Sequence, residues 1–572
     1  MRKKKLGVAT AAAVAAIALT LSGCASSNNT DTSTSGASSG SGVTIDAAHS
    51  VGAMTNYAVG TTFKATEPID ISLLYRNHSN YPVQDGWMIF QQLQANQNVT
   101  FTRTDIDLAD WQTKRGLYIT ADSSEPEVMP VFYSGEETQY VSSGALLPIS
   151  DYVQYMPNFQ KDLADFGLSS YLDTKRQADG KYYQLPGLME LANVQYSVIV
   201  RDDYWSAAGI TSDPKNLDEL KTDLQKLKDS GKCQVPLSAG NDAKDILQAW
   251  SPDYDTSLGD WAIQNGAQYW DGSKYVSAAA QPGAQQLTQY MADLVSAGLM
   301  DKDSMTQGTN DNSASDQKFV SSTSCASTGN DQDATRLQQQ LQASGVNTTV
   351  HLLTLPQAAD GKIYITGGQR FSSGMVFGAS LKNDPHFLAI LQFIDWLYYS
   401  PEGVEFAQWG VQCPTGVTDD TQCTYTKDAS GNRTLLPTVN NAQGLNAANC
   451  GPGTSCKMLT VDYGFSNGVF WPANGVFKDL MLSYYSPIKQ DFVNRIAGMV
   501  ERPTAPATPM STDTLDQVAT YATNLRDLQN QWTADFIVGN KSVTSDWAAY
   551  QSALQTAGMD QLVQLYNDNI KQ

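Results

Sequence analysis

Residues 69–73 read Ile-Asp-Ile-Ser-Leu, and this alternation of apolar and polar side chains has the period of two of a β-strand. Two further stretches give the same signal, VTFTR at residues 99–103 and VMPVF at residues 128–132. A polar loop, YRNHSNYPVQDGW, follows the first strand at residues 75–87, and a glycine-containing turn follows the third at residues 133–137. The sequence therefore predicts a sheet whose strands end in polar loops.

Helical patterns alternate with these strands. Asn216 is a predicted N-cap with Glu219 three residues later, and Leu217, Leu220, Leu224 and Leu227 form one apolar face that ends before Gly231. A second helix is predicted to begin at Asp384-Pro385 and to stop at Ser400-Pro401. Its inward-facing side chains are Leu388, Leu391, Ile394 and Leu397. Strands that alternate with helices indicate an α/β fold.

The N-terminus has the layout of a secretory signal. Four basic residues precede an apolar run at residues 6–21, which is too short to span a bilayer comfortably. The run ends in Leu21-Ser22-Gly23-Cys24, which resembles the bacterial lipobox. We expect residues 1–23 to be a lipoprotein signal peptide, Cys24 to be lipidated and residues 24–62 to be a flexible Ser/Thr/Gly linker. The alternative is an ordinary signal peptide with an incidental cysteine.

The charge of the chain restricts its partners. The formal net charge is −21, and the first 23 residues carry only positive charges, so the remaining chain is more acidic still. No basic stripe exists to neutralise phosphates, which disfavours nucleic acid as a partner. The same charge should repel anionic membranes and solutes, and it therefore favours a neutral ligand. No second apolar run approaches the length of a transmembrane helix.

Six cysteines follow Cys24, and an even number in an exported chain favours disulfides. The simplest of the fifteen possible schemes joins Cys413 to Cys423 and Cys450 to Cys456, which leaves Cys233 with Cys325. No CxxC motif and no paired histidines suggest a metal site. We expect no metal and no cofactor.

Six segments of the chain resemble, in their order, the conserved segments of one protein family. They are DGKYYQLP at residues 179–186, YSVIVRDDYW at 196–205, PKNLDEL at 214–220, FIDWLYYSPEG at 393–403, WGVQ at 409–412 and TYTKDASG at 424–431. Their succession resembles the extracellular solute-binding lipoproteins of ABC importers, in particular the large oligosaccharide-binding branch. Two departures stand out. Residues 229–237 lack the oxygen ligands of that branch's calcium loop, and Gln412 replaces a motif glutamate.

The resemblance implies a two-lobed, periplasmic-binding-protein-like α/β fold of type II, with hinged lobes whose central β-sheets are flanked by helices. We expect residues 63–190 and about 360–430 to form the N-terminal lobe, and residues 191–359 and about 431–572 the C-terminal lobe. The implied function is to capture a neutral oligosaccharide between the lobes and to deliver it to the permease subunits of an ABC transporter. We expect a monomer on the extracellular face of the cell membrane, attached only through its N-terminal lipid.

Candidate ligand contacts follow from the chemistry of sugars, which need flat aromatic rings and planar polar groups, and from the rule that ligands bind at strand ends. The expected contacts are Tyr75, Arg76, Asn77, Asp85, Trp87, Tyr133, Gly135, Glu136, Asn241, Asp242, Trp250, Arg370, Phe371 and Trp471.

Two other functions remain open. An exported glycoside-active enzyme would need two carboxylates, for which Glu136 and Asp253 are candidates. Two S-x-x-K matches, Ser315 with Lys318 and Ser486 with Lys489, lack the companion motifs of serine acyltransferases. A sensory or adhesive lipoprotein of the same fold is the other alternative.

Overall fold

The chain folds around two separate β-sheets. The structure is a computed structural model, and it describes residues 43–570 apart from 80, 121–125, 134, 260–267, 309–310, 369, 441–455, 471 and 473–474. The expected signal peptide, the expected lipidation site Cys24, Cys450 and Trp471 lie outside the described residues. The strands are β1 (Ile69–Asn77), β2 (Val99–Asp107), β3 (Val128–Phe132), β4 (Gln184–Leu188), β5 (Ser197–Arg201), β6 (Val235–Leu237), β7 (Gln268–Trp270), β8 (Tyr275–Ser277), β9 (Ser324–Gly329), β10 (Val350–Leu352), β11 (Tyr364–Ile365), β12 (Phe371–Phe377), β13 (Tyr425–Lys427), β14 (Arg433–Leu435), β15 (Val439–Asn440), β16 (Lys457–Met458) and β17 (Val500–Glu501).

Helices surround both sheets. They are α1 (Met88–Gln92), α2 (Trp111–Ile119), α3 (Thr138–Val141), α4 (Pro157–Asp165), α5 (Ser169–Asp173), α6 (Asp202–Ala207), α7 (Leu217–Asp229), α8 (Lys244–Trp250), α9 (Pro282–Ser296), α10 (Ser313–Val320), α11 (Asp331–Ala343), α12 (Phe387–Tyr399), α13 (Pro401–Trp409), α14 (Lys478–Tyr484), α15 (Pro487–Arg495), α16 (Thr512–Ile537), α17 (Trp547–Thr556) and α18 (Met559–Asp568).

The first sheet has the strand order β2-β1-β3-β12-β4. Strands β1, β2 and β3 are parallel, while β12 runs antiparallel to both of its neighbours. Strand β1 continues four residues beyond the predicted alternation, because Leu73, Leu74 and Tyr75 are all buried. A strand covered on both faces reads as a continuous apolar run, so the period of two fails at that point. We call this sheet and the helices packed on it the first lobe.

The second sheet has the order β10-β5-β9-β6 and forms the centre of the second lobe. Helix α7 packs on it and confirms the predicted helix, because the Asn216 side chain accepts a hydrogen bond from the Glu219 N–H and Leu217, Leu220, Leu224 and Leu227 are buried. Helix α12 begins two residues later than predicted, at Phe387. This mixed α/β arrangement is the two-sheet fold that the sequence predicts.

The described part of residues 431–484 packs differently from the sequence prediction, which placed this segment with the second lobe. Their buried side chains belong to the core of the first lobe and include Leu435, Val439, Leu459, Phe470 and Leu480. The rings of Phe406 and Phe465 meet edge to face at 5.2 Å, and those of Trp409 and Tyr484 at 6.0 Å. The apolar face of α13 therefore holds this segment, a contact that chain order does not reveal.

Strand β11 lies in the chain between β10 of the second sheet and β12 of the first sheet, and it forms a short parallel pair with β17. Arg502, just after β17, stacks on the ring of Tyr364 at 3.6 Å and forms an ion pair of 2.7 Å with Asp255. The connection between the lobes is thus fixed by both backbone pairing and a cation–π contact.

Two of the three predicted disulfides are confirmed, Cys233–Cys325 and Cys413–Cys423. Cys456 is also disulfide-bonded, whereas its expected partner Cys450 is not described. Across the described ranges, no cluster of three His, Cys, Asp or Glu side chains could hold a metal ion. None of the described helices has the length and hydropathy needed to cross a membrane.

Candidate ligand-binding site

A cleft of about 430 Å³ contains side chains from both lobes and from the connection between them. Its size lies within the range of small-molecule sites. The residues that line it are Tyr133, Asn193, Val194, Gln195, Tyr196, Gln248, Ala249, Pro252, Leu355, Ile365 and Thr366. These described lining residues include two tyrosines, three carboxamides and a hydroxyl, and none of them carries a formal charge.

The first lobe contributes Tyr133, which directly follows β3 and is 54% exposed. Two irregularities of the backbone precede it. Val131 has a φ of +63°, which is rare for a β-branched residue, and β12 has a register shift at Gly374/Met375 where it pairs with β3. Such irregularities redirect the end of a strand, and here they lie directly before the tyrosine that faces the cleft.

Glu136 fixes the turn that carries Tyr133. One carboxylate oxygen of Glu136 accepts hydrogen bonds from the Tyr133 N–H and from Arg115, both at 2.8 Å, and Gln112 donates to the other oxygen. Burial alone would raise the pKa of Glu136, but the hydrogen bonds from Arg115 and Gln112 keep it below its usual value. The carboxylate thus acts as a scaffold for Tyr133.

The second lobe contributes residues 193–196, which lead into β5. The ammonium group of Lys489, in α15, donates a hydrogen bond to the carbonyl oxygen of Val194 from a fully buried position. Burial lowers the pKa of Lys489, and Asp331 at 3.6 Å counteracts this shift. Beside Val194, burial raises the pKa of Tyr196 to about 12, with a further contribution from the carboxylate of Asp245.

Helix α8 supplies Gln248 and Ala249. The helix follows three consecutive left-handed residues, Asn241, Asp242 and Ala243, with φ values of 50°, 53° and 56°. The Oε1 atom of Gln248 is buried and accepts no hydrogen bond from any residue that the structure describes. An acceptor in this state costs stability until a donor reaches it.

Of the residues that the sequence predicted as ligand contacts, the structure brings Tyr133 to the cleft wall. Gly135 and Glu136 lie in the turn behind it. Arg76 and Asn77 end β1, where the Asn77 side chain donates to Asp107 and accepts from the Val83 N–H.

Other predicted contacts have partners within the protein. Asp85 is exposed and pairs with Arg103 at 2.7 Å. The Asn241 side chain donates to Asp245, and Asp242 accepts from the Gly308 N–H.

Phe371 begins β12, and Arg370 directly precedes it. Arg370 donates to the carbonyl of Met189 at 3.1 Å. Phe371 contacts Tyr171 edge to face at 6.0 Å. Neither residue is among those that line the cleft.

Three predicted contacts lie in cores and require correction. Tyr75 is fully buried and accepts a hydrogen bond from Asn467. Trp87 is 1% exposed, and its indole N–H donates to the Val461 carbonyl at 2.8 Å. Trp250 is 1% exposed and meets Tyr290 edge to face. The tertiary structure covers these rings completely, although each follows or lies within a segment that reads as polar.

Four lining residues of the second lobe, Asn193, Gln195, Tyr196 and Gln248, were not predicted from the sequence, and neither was Thr366 in the connection between the lobes. Gln248 lies between Asp242 and Trp250, both of which the sequence predicted as ligand contacts. Asn193, Gln195 and Tyr196 stand directly before the apolar run that forms β5, and these polar side chains were the available signal.

The candidate enzyme residues have other partners. Glu136 binds Arg115, and the Oδ1 atom of Asp253 accepts a hydrogen bond from the Tyr364 N–H. Lys318 pairs with Asp301, and Ser486 caps α15 by accepting from the Lys489 N–H. None of the six candidate enzyme residues is among the described residues that line the cleft.

A sequence profile of the bacterial extracellular solute-binding proteins matches residues 80–402, which is more than half of the chain. The chain belongs to this family. No curated protein sequence matches this solute-binding protein.

Solved structures resemble this solute-binding protein over most of its length. The alginate-binding protein AlgQ2 without calcium ion is 16% identical over 89% of this chain and 99% of that chain, with a TM-score of 0.59. An HMO-binding, ABC-transporter-associated solute-binding protein from Bifidobacterium longum infantis is 15% identical over 88% and 98%, with a TM-score of 0.62. The S. pneumoniae ABC-transporter substrate-binding protein FusA in complex with kestose is 18% identical over 87% and 98%, with a TM-score of 0.60. At these identities the similarity shows the two-lobed fold alone.

Proposed function

We propose that this solute-binding protein captures a neutral oligosaccharide in the cleft between its two lobes and delivers it to the permease of an ABC transporter. The observation that carries the proposal is the chemistry of the cleft wall. Tyr133 and Tyr196 offer ring faces, while Asn193, Gln195 and Gln248 offer carboxamides, and no lining residue in the described part of the chain is charged. A charged ligand would lose its hydration there without gaining an opposite charge.

The side chain of Gln248, which lines the cleft, supports a ligand rich in hydroxyl groups, because a carboxamide both donates and accepts hydrogen bonds. All three solved structures described above are named for saccharides, namely alginate, HMO and kestose. Because alginate is an anionic polysaccharide, the proposal of a neutral ligand rests on the uncharged cleft wall. The family is one of solute-binding proteins, which favours binding without chemical conversion of the ligand. Closure of the lobes around the bound sugar would bring both walls into contact with it.

The proposal keeps the expected lobes with one change. Residues 63–190, about 360–430 and 431–484 form the N-terminal lobe, and residues 191–359 with the chain beyond 484 form the C-terminal lobe. The proposed contacts are the uncharged cleft residues, Tyr133 first among them. We further propose a monomer that is held on the extracellular face of the membrane by a lipid on Cys24. Metabolic labelling with a fatty-acid analogue tests the anchor, and equal labelling of wild type and Cys24→Ala would contradict it.

A thermal-shift screen of residues 43–572 against neutral oligosaccharides tests the function. A ligand at about 100 times its Kd adds ~2.7 kcal/mol to the free energy of unfolding, which raises the melting temperature. We then expect Tyr133→Ala and Gln248→Ala each to weaken binding roughly ten-fold or more while the melting temperature without ligand hardly changes. Leu117→Ala, at a 70% exposed position on α2, is the matched control.

Two results would contradict the proposal. One is that anionic sugars shift the melting temperature whereas neutral ones do not. The other is the release of new reducing ends during incubation, which would show an enzyme.

A further inference from the structure

A second cavity, of about 640 Å³, lies next to the cleft and is larger than it. The two share a thin wall, because consecutive residues line different sides. Pro252 lines the cleft and Asp253 the second cavity, and Leu355 and Pro356 are divided in the same way. The second cavity therefore borders the cleft at two separate places along the chain.

The shared wall is rigidly held. Arg502 donates two hydrogen bonds to the Pro252 carbonyl, at 2.9 and 2.6 Å, and the Oδ1 atom of Asp253 accepts from the Tyr364 N–H at 3.0 Å. Because Arg502 also pairs with Asp255, the turn at Ser251–Tyr254 is tied to the connection between the lobes. These contacts hold the boundary between the two cavities in one conformation.

The side chains around the second cavity suit sugar hydroxyls. Gln286 and Gln357 are exposed, and neither side chain makes a hydrogen bond to another described residue. Asp218 is exposed in the first turn of α7, and the half-buried ring of Tyr254 lies on the same wall. Carboxamides, a carboxylate and an aromatic ring are the groups that recognise neutral polyols. The carboxylates disfavour an anion, and within the described chain they form no cluster that could hold a metal ion.

From this arrangement we infer that the second cavity binds the sugar units of the oligosaccharide that extend beyond the cleft. This inference rests on the proposed function. It makes the protein selective for chain length, because a short oligosaccharide contacts only the cleft, whereas a longer one passes the Pro252–Asp253 edge and also reaches Gln286 and Gln357.

Titration calorimetry with short and long members of the malto-, xylo-, manno- and fructo-oligosaccharide series tests the inference. In the series that binds, wild-type affinity should rise with chain length. The double variant Gln286→Ala/Gln357→Ala should lose roughly ten-fold in affinity for long members and nothing for the shortest one, as expected for two lost hydrogen bonds. Both positions are exposed, so the variant should fold. Gln342→Ala, at an exposed glutamine of α11, is the matched control.

The possible results separate the two proposals. If affinity does not depend on chain length, or if the double variant binds long members as wild type does, the inference is wrong while the proposed function stands. If no series binds to wild type, both are wrong. Tyr133→Ala should weaken every member of the series, short and long, since all of them occupy the cleft.

Discussion

One carboxylate oxygen of Glu136 accepts hydrogen bonds from the backbone N–H of Tyr133 and from the guanidinium of Arg115, both at 2.8 Å. The acid that sequence reasoning placed in contact with ligand thus holds the tyrosine that faces the cleft. The side chain of Arg115 is 2% exposed, so its guanidinium is paired with Glu136 almost entirely out of contact with solvent.

Glu136→Ala should therefore destabilise the fold, because it leaves the buried Arg115 charge without its partner. We expect a loss of about 3 kcal/mol in the free energy of unfolding, measured by urea titration. Glu136→Gln retains an acceptor for the Tyr133 N–H and should lose less. Equal stability of the Ala variant and wild type would show that Arg115 finds another partner.

Trp87→Ala should lower stability and leave ligand affinity unchanged. The indole packs so tightly against Gly464 that a Cβ added there would lie 2.4 Å from the ring, and φ at Gly464 is +81°. Removal of such a buried ring costs about 3–5 kcal/mol in unfolding free energy. Tyr133→Ala should show the opposite pattern, with weaker binding and little change in stability. If Trp87→Ala weakened ligand binding at unchanged stability, Trp87 would be a ligand contact and not a core residue.

Asp162 should make the stability of the first lobe depend on pH. Burial, with a further contribution from Asp395, raises the pKa of Asp162 to about 8 from its ordinary value of 3.8. The folded state therefore binds a proton that the unfolded state releases above pH 4, so stability is full below that value and falls as the pH rises to about 8.

Asp162→Asn removes this titration, and the variant should gain stability relative to wild type as the pH rises from 4 to 8, by an amount on the order of 5 kcal/mol. Urea unfolding at several pH values measures the difference. Asp165→Asn, on the exposed side of the same helix, is the control. A difference between Asp162→Asn and wild type that stays constant with pH would refute the shifted pKa.

The two described disulfides should contribute unequally to stability. Cys233–Cys325 closes a loop with a sequence separation of 92, and Cys413–Cys423 one of 10. Chain entropy predicts that loss of the first costs about 4.5 kcal/mol and loss of the second about 2.5 kcal/mol. Paired Cys→Ser variants, compared by urea unfolding, test this order. A larger loss for the short loop would show that packing outweighs loop entropy here.

The sequence by itself determined the local elements of this protein. The alternation at residues 69–73, the cap at Asn216 and the leucine face of α7 are set by neighbours within one strand or a few helical turns, so local chemistry suffices to predict them. The pairing of Cys413 with Cys423 also followed, because cysteines ten residues apart close a short loop. The resemblance to the family of solute-binding proteins predicted the two-lobed fold.

Only the tertiary structure decided which rings face the cleft. Trp87 and Tyr133 both follow strands of the first lobe and look alike in sequence, yet Val461 and Gly464, nearly four hundred residues after Trp87, cover the first ring and leave the second exposed. The opposite wall combines residues 193–196, Gln248 and Thr366, three segments that are distant in the chain. Periodicity predicts that a side chain is buried or exposed on its own element, but it does not specify the element that packs against it, and the cleft is formed by that packing.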